Sequence, residues 1–515
     1  MEARIAAGGA LVLVGFMGAG KSSGARAIAA ELGIEARDSD RELESRLGEP
    51  IESFFDREGE SAFRAREEEL VLELLEGALA RDSGPEVIAL GGGAVTSERV
   101  REALGRHTVV LVEVSPEEAW RRASGSARPL ARDPGRFAQL HADRSALYEA
   151  VADAVVPPGE RELLRRVLEA LLALRSAPPG SRLVWASSAS GDYPVFLGRG
   201  LLRSGFFFPE VGRRFVVTDE HVAEAQPFDG HSRIVLAPGE DQKTLAGAGS
   251  VLRELARAGA ERGDLVVAVG GGVVGDLAGF CAAIYQRGMR WVGVPTTLVA
   301  QVDSAYGGKT GVDLPEGKNY AGAYHQPSAV LCDPATLETL PAEELAAGYV
   351  EVVKTALIAG GQLWARVRAG GEVDARVIEG CLRTKLAVVA EDERDSDRRQ
   401  VLNLGHTVGH AIEAATGYRR YRHGEAVAVG LLVALRLSGR EPLRAEVAEL
   451  LGRRGLPLTF DSASVDDVLT LVARDKKRAE GRVPFVLVEA PGEVTPGHEV
   501  GDEELRRAIE EVHAG

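Results

Sequence analysis

Cysteine is almost missing from this chain. Cys281, Cys332 and Cys381 are the three present in 515 residues, widely spaced and odd in number. No disulfide framework and no cysteine-based metal site follows from them, so they read as small buried hydrophobes of a reducing compartment. Long apolar runs are missing too. No stretch reaches the about 18 uninterrupted apolar residues that a membrane span needs. The apolar run at 5–15 leads directly into a glycine loop, which marks a buried strand rather than a signal peptide. The expected location is the cytoplasm, with no membrane partner. A surplus of positive charge is also lacking: 61 Lys and Arg stand against 77 Asp and Glu, a net charge of −16. A polyanion would be repelled, so nucleic acid is not an expected partner, while local basic sites for small phosphorylated ligands stay compatible with that balance.

What is present is the ordinary composition of a folded chain, 45% hydrophobic and 27% charged, at a length that exceeds one usual core. Residues 1–175 alternate short apolar runs with charged helical stretches, the pattern of a parallel sheet wrapped in helices. Strands are expected at 10–14, 87–90 and 109–114, and an amphipathic closing helix at 161–174. Ser176-Ala177-Pro178-Pro179-Gly180-Ser181 is the expected linker, stiffened by prolines. The pattern restarts at Arg182, with strands at 215–218, 234–236, 265–269 and 291–294. Beyond Pro341 helical patterns dominate. The expected organisation is an α/β domain over 1–175, a linker over 176–181, a second α/β domain over 182–341 and a mainly helical part over 342–515.

In the first half, Gly15-Phe16-Met17-Gly18-Ala19-Gly20-Lys21-Ser22 follows an apolar strand and precedes a helical run from near Ser23. This is the P-loop pattern in its required context. Gly18 and Gly20 free backbone N–H groups for phosphates, Lys21 reaches the transferring phosphates, and the Ser22 hydroxyl ligates Mg2+. Downstream, Asp38-Ser39-Asp40 offers two carboxylates that can serve a metal and an acceptor hydroxyl. Phe63-Arg64-Ala65-Arg66-Glu67, Gly91-Gly92-Gly93, Arg128-Pro129-Leu130 and Arg144 with Tyr148 follow. In this order the motifs resemble shikimate kinase over essentially the whole first 175 residues, which implies a P-loop, NMP-kinase-like fold. By that resemblance MgATP binds at Gly18, Gly20, Lys21, Ser22 and Ser23, with Asp38 near Mg2+ and Asp40 on the acceptor hydroxyl. Arg64 and Arg144 grip the shikimate carboxylate, Glu67 and Gly91, Gly92 and Gly93 shape the pocket, and Arg128 closes a lid over ATP. A guanidinium fork suits a carboxylate, and lid closure keeps water from the phosphoryl group. Other small-molecule P-loop kinases, such as gluconate kinase, are the rival, and the paired arginines weigh against them.

In the second half, Gly270-Gly271-Gly272-Val273-Val274-Gly275-Asp276 follows a strand but lacks the usual dinucleotide spacing. Polar residues then crowd among apolar ones: Arg287, Thr296-Thr297, Asp303, Lys309, Lys318-Asn319, and Glu351 with Lys354. His406 and His410 are four apart and share a helix face, and His423-Gly424-Glu425 follows. Three histidines in eighteen residues, from ten in the chain, point to a metal. Spacing alone assigns His406 and His410 as ligands, with His423 or a carboxylate third.

This half resembles 3-dehydroquinate synthase throughout, with "LNLGHTVGHAIE" among its most specific signatures, and the resemblance changes that assignment. It implies a Rossmann-like domain before a helical metal-binding domain, with Zn2+ (or Co2+) on Glu351, His406 and His423 and an open coordination position. His410 is then left to contact substrate phosphate. Lys309, Lys354, Lys385, Arg287, Arg399 and Asn403 match the family's substrate site, as does Lys476-Lys477. NAD would contact Asp219, Glu240, Lys243, Gly271, Gly272, Val273, Asp276, Thr296, Thr297, Asp303, Lys318, Asn319 and Thr339. The implied reaction takes a heptulosonate phosphate to a carbocycle and phosphate, with NAD recycled and no net redox change. A glycerol-type dehydrogenase would not need the cations around Lys309, and a different sugar-phosphate cyclase would be an odd companion for shikimate kinase. The implied partners are small-molecule substrates and a second copy of the chain, in a homodimer through the synthase half. The two implied reactions are not consecutive, so the fusion reads as co-expression at a fixed ratio.

Overall fold

The structure is a computed structural model that describes residues 9–80, 86–124, 133–159, 161–226, 228–478 and 485–514, with backbone only at 161–162 and 474–478. Arg128 and its neighbours in the expected lid lie outside the described residues, as do the side chains of Lys476 and Lys477. Two compact units emerge. One runs to Trp185 and takes in Pro194–Phe208; the other comprises Ala186–Tyr193 and Pro209–Gly515.

In the first unit β1 (Leu11–Val14), β2 (Ala36–Asp38), β3 (Val87–Ala89), β4 (Thr108–Val112) and β5 (Ala154–Val156) form a parallel sheet in the order β2-β3-β1-β4-β5. Leu183 and Val184, of β6 (Arg182–Ser188), continue the parallel register against Ala154 and Val155. β1 and β4 are buried along their whole length, as continuous Leu/Val runs must be when helices cover both faces. Each such side chain contributes about 1.5–3 kcal/mol when removed from water. Because the strands are parallel, the segments leaving the C-terminal ends of β1, β2 and β3 share one sheet edge. These carry the P-loop, Asp38–Asp40 and Gly91–Gly93. Two helices bring side chains to them: Ile51–Ala80, broken at Gly59, and Pro134–Val151. His107 is buried and its Nδ1 accepts the Ala10 N–H at 3.1 Å. Burial lowers its pKa to about 4, so the ring stays neutral beneath β1.

β7 (Gly191–Leu197) has its first three residues in the second unit and the rest in the first. The second unit holds a parallel sheet of β8 (Arg214–Asp219), β9 (Ser232–Leu236), β10 (Leu265–Gly270), β11 (Arg290–Pro295) and β14 (Ala329–Cys332), with a separate antiparallel hairpin of β12 (Lys309–Leu314) and β13 (Gly317–Tyr324). The sheet order is β14-β11-β10-β8-β9. Helices then take over as expected, with one late antiparallel hairpin of β15 (Phe485–Ala490) and β16 (Glu493–His498). The helix Ala342–Ala359 is buried on all sides from Ala347 to Ile358. A Cβ on Gly424 would come within 2.0 Å of the Ala347 carbonyl oxygen. Only glycine lets the helix His423–Leu437 approach so closely, and that approach sets His423 against Glu351. All three cysteines are buried and unpaired. Among the described residues no helix is long and apolar enough to cross a membrane.

Candidate active sites

The first site forms where three loops leave the sheet. Gly18 and Gly20 have φ of 84° and 91°, a region open to glycine, and a Cβ on Gly18 would meet the Ala119 carbonyl oxygen at 2.7 Å. The helix Lys21–Leu32 begins at once, with no side chain capping its first N–H groups. That leaves donors for an anion at its positive end. Lys21 Nζ donates to the Phe16 carbonyl at 3.1 Å, and Ser22 and Ser23 follow in the first turn. Asp38 closes β2 and caps the helix Ser39–Leu47, Oδ1 accepting from the N–H groups of Asp40 and Arg41.

Gly92 joins this loop to the arginines. A Cβ there would stand 3.3 Å from the Met17 nitrogen. The Gly92 carbonyl accepts from Arg144 at 3.2 Å and from the Tyr148 hydroxyl at 2.5 Å. A Cβ on Gly91 would collide with the carboxylates of Asp40 and Glu67, and one on Gly93 with the Arg64 guanidinium. Arg64 donates to buried Glu67. Burial pushes the Glu67 pKa up against the lowering influence of Arg64, and burial lowers that of Arg144. Asp40, Arg64, Glu67 and Arg144 thus converge beside the P-loop, two cations against two carboxylates. Such a pocket suits an anionic polyol.

The second site begins with a cavity of about 1050 Å³. Its lining includes every residue expected to contact NAD, from Asp219 to Thr339, together with His410, Glu413 and His423. The helix Gly272–Ile284 opens at it, uncapped by a side chain. Within the wall Lys243 pairs with Asp276 at 2.6 Å. Beside the cavity three helices contribute Glu351 and Lys354, His406 and His410, and His423. One ring nitrogen from each of the three histidines lies within 4.8 Å of the others. Glu351 Oε1 stands 3.5 Å from His406 Nε2 and 3.8 Å from His423 Nε2, fully buried and without a hydrogen bond. A buried carboxylate oxygen left so is costly unless a cation joins it. Two donors about 2.1 Å from a tetrahedral centre stand roughly 3.4 Å apart, close to both distances. Each ring also has its other nitrogen engaged: His406 Nδ1 on the Leu404 carbonyl at 3.1 Å, His423 Nδ1 on Glu413 at 3.2 Å. Nε2 is then the free lone pair on both. His410 faces the cavity and is exposed to it. Spacing had paired His406 with His410; the geometry equally offers Glu351.

Lys354 contacts the other Glu351 oxygen, and Asp303 lies between Lys385 and Lys354. Burial alone would raise the Asp303 pKa, but those two ammoniums hold it well below the carboxylate range. Lys309 pairs with Asp395. Arg399 is buried, donating to the carbonyls of Glu393 and Gly307, so it braces two loops. Asn403 is exposed at the end of the helical turn Arg398–Asn403. Arg287 is exposed in a turn with φ of 65°; neither lines the cavity.

Sequence reasoning passed over two carboxylates, Asp395 and Glu413. Glu413 is almost fully buried, accepting from His423 Nδ1 and, at 3.1 Å, from Lys318 Nζ. Burial opposes its ionisation, but the His423 bond and the Lys318 charge bring its pKa down to about 2. A signal existed, since His406, His410 and Glu413 fall at i, i+4 and i+7 of one helix face. Asp395 had none, lying in an irregular loop with φ of 62°.

Comparison with known proteins agrees with both halves. The family model for shikimate kinase matches residues 17–173, and those for the N-terminal and C-terminal parts of 3-dehydroquinate synthase match 233–347 and 348–478. The 3-dehydroquinate synthase of Nitrobacter hamburgensis is 41% identical over 377 residues, covering 64% of this chain and 97% of its own length. A crystal structure of 2-deoxy-scyllo-inosose synthase complexed with carbaglucose-6-phosphate, NAD+ and Co2+ is 26% identical, covering 64% of this chain and 100% of that one, with a TM-score of 0.56. The shikimate kinase of Acinetobacter baumannii in complex with shikimate is 32% identical, covering 34% of this chain and 98% of that one, with a TM-score of 0.31. The chain belongs to the 3-dehydroquinate synthase family and carries a shikimate kinase ahead of it, so that two enzymes of the shikimate pathway share one polypeptide.

Proposed function

We propose that the first half transfers the γ-phosphoryl group of MgATP to the 3-hydroxyl of shikimate. The second half, in this reading, converts 3-deoxy-D-arabino-heptulosonate 7-phosphate into 3-dehydroquinate and phosphate, using NAD+ and Zn2+ or Co2+. The observation that carries it is the buried, hydrogen-bond-free Glu351 Oε1 facing His406 and His423 beside the large cavity. The similar inosose synthase structure contains NAD+ and Co2+, which supports the cofactor pair.

In the kinase, Lys21 and the uncapped N–H groups of its helix neutralise phosphate charge. Ser22 and Asp38 would hold Mg2+, directly and through water. Arg64 and Arg144 grip the shikimate carboxylate, which turns a hydroxyl toward Asp40, and Asp40 takes that hydroxyl's proton as phosphorus is attacked. Glu67 keeps Arg64 aimed. Arg128 is assigned to the lid on the family pattern alone.

In the synthase, Glu351, His406 and His423 would hold the metal. When bound, the metal polarises a substrate alcohol and the nicotinamide accepts and later returns hydride. Lys354 and Lys385 keep Asp303 ionised at the heart of the site. His410, on the cavity wall, donates a hydrogen bond toward the phosphate. Lys309 supplies charge for the anionic substrate; Arg399 holds the loop that presents Asp395 to it. Arg287 and Asn403 are included on the family pattern. The domain limits of 1–175, 182–341 and 342–515, a homodimer through the synthase half and a cytoplasmic location belong to the same reading.

The test uses purified full-length protein. With the heptulosonate phosphate, NAD+ and Zn2+, the expected result is phosphate release without accumulation of NADH at 340 nm. NADH rising in step with substrate consumed would make it a dehydrogenase and refute the reading. Separately, shikimate with MgATP should yield ADP, and no ADP above the shikimate-free rate would refute the kinase half.

A further inference from the structure

Glu413 takes no part in the reaction proposed above, yet its two oxygens face opposite ways. Oε2 accepts from His423 Nδ1 at 3.2 Å, and Oε1 accepts from Lys318 Nζ at 3.1 Å. We propose that Glu413 is a positioning residue that holds His423 and Lys318 at once, so that metal binding and NAD+ binding in this chain strengthen each other. The inference rests on the metal and nucleotide assignments of the preceding section.

The geometry leads there step by step. The His423 proton sits on Nδ1 when that nitrogen donates to a carboxylate, which leaves Nε2 as a lone pair turned toward Glu351 Oε1, 3.8 Å away. Lys318 arrives from β13 on the far side of the carboxylate. It lies over the Tyr418 ring at 4.9 Å and within 3.8 Å of Glu240. Glu240 in turn stands 4.0 Å from Lys243, which pairs with Asp276 near the start of the helix at the cavity wall. Charges therefore alternate from a metal ligand to the nucleotide wall, with Glu413 the link common to both ends. Holding Lys318 costs side-chain entropy. Once either ligand has ordered one partner, the shared carboxylate is already in position for the other. A merely structural role would be different: Glu413 would tie its helix to the β12–β13 hairpin, and its loss would lower stability without touching any linkage.

The experiment measures linkage rather than turnover. Zn2+ affinity of the full chain is read by competition with a chromophoric chelator, with and without saturating NAD+. NAD+ affinity is read by calorimetry, with and without Zn2+. In the parent each ligand should tighten the other by the same factor, roughly fivefold or more. In Glu413→Gln the metal should bind about 10–100-fold more weakly, and the mutual tightening should vanish. Lys318→Met, which leaves the helix untouched, should weaken NAD+ binding itself and also abolish the tightening when NAD+ is raised to saturate that variant; this variant decides the matter if Glu413→Gln fails to fold. Absence of tightening in the parent, or its survival in Lys318→Met, overturns the proposal. A parent that binds neither Zn2+ nor NAD+ would instead refute the underlying assignment, and the proposal falls with it.

Discussion

His406→Ala should remove synthase activity almost entirely while kinase activity stays at the parent level. In the proposed reading the ring supplies one of three protein donors through Nε2, its Nδ1 being committed to the Leu404 carbonyl at 3.1 Å. Two donors do not make a stable zinc site. Losing the ion removes several kcal/mol of transition-state stabilisation, about 10^3-fold or more in rate. Glu351 would keep Lys354 and, at 3.8 Å, His423 beside it but lose His406 and the ion, so some loss of stability should accompany the loss of rate. Zinc content by mass spectrometry and phosphate release would be measured on one preparation. Retained zinc with activity within tenfold of the parent would exclude His406 as a ligand.

Lys21→Ala should do the converse. The lysine sits at the first position of its helix, where the helix dipole already favours phosphate, and in the proposed reading it adds a full charge at the transferring group. Its removal should lower kinase kcat by roughly 10^2–10^3-fold, as for loss of one transition-state donor. The KM for shikimate should change little, because the proposed shikimate grip, Arg64 and Arg144, comes from other helices. Lys21→Arg should not rescue, since a planar fork does not replace a point charge in a loop whose glycines close around it. Initial rates with varied shikimate and ATP give both constants. A large rise in shikimate KM with kcat unchanged would contradict this division of labour, as would any loss of synthase rate.

Much of this was visible before any coordinates. Strands that are buried on both faces wrote themselves as unbroken apolar runs, and all of those expected were found, within a residue or two of their limits. Two of the shortest strands were not visible. β2, at the edge of its sheet, has three half-buried residues, and β5, inside the sheet, is three residues long, too few for either periodicity to register. The hairpin β12–β13 was hidden by its glycines and by an exposed second strand that lacks alternation. At the sites, residues clustered in sequence were legible: the P-loop, and the histidines on one helix. Partnerships spanning ninety residues were not. Lys318 with Glu413 and Lys309 with Asp395 exist only because the hairpin and the late helices fold onto one cavity. Spacing also favoured His410 over Glu351, because Glu351 comes into reach only through the close approach of two helices at Gly424.

That choice is the point most directly open to measurement. Crystals grown with Zn2+ and NAD+ should give one strong anomalous peak at the zinc edge in the second unit, about 2.0–2.2 Å from Glu351 Oε1, His406 Nε2 and His423 Nε2. A peak bound instead by His406, His410 and His423, with Glu351 left on Lys354, would contradict the account, as would no peak at all.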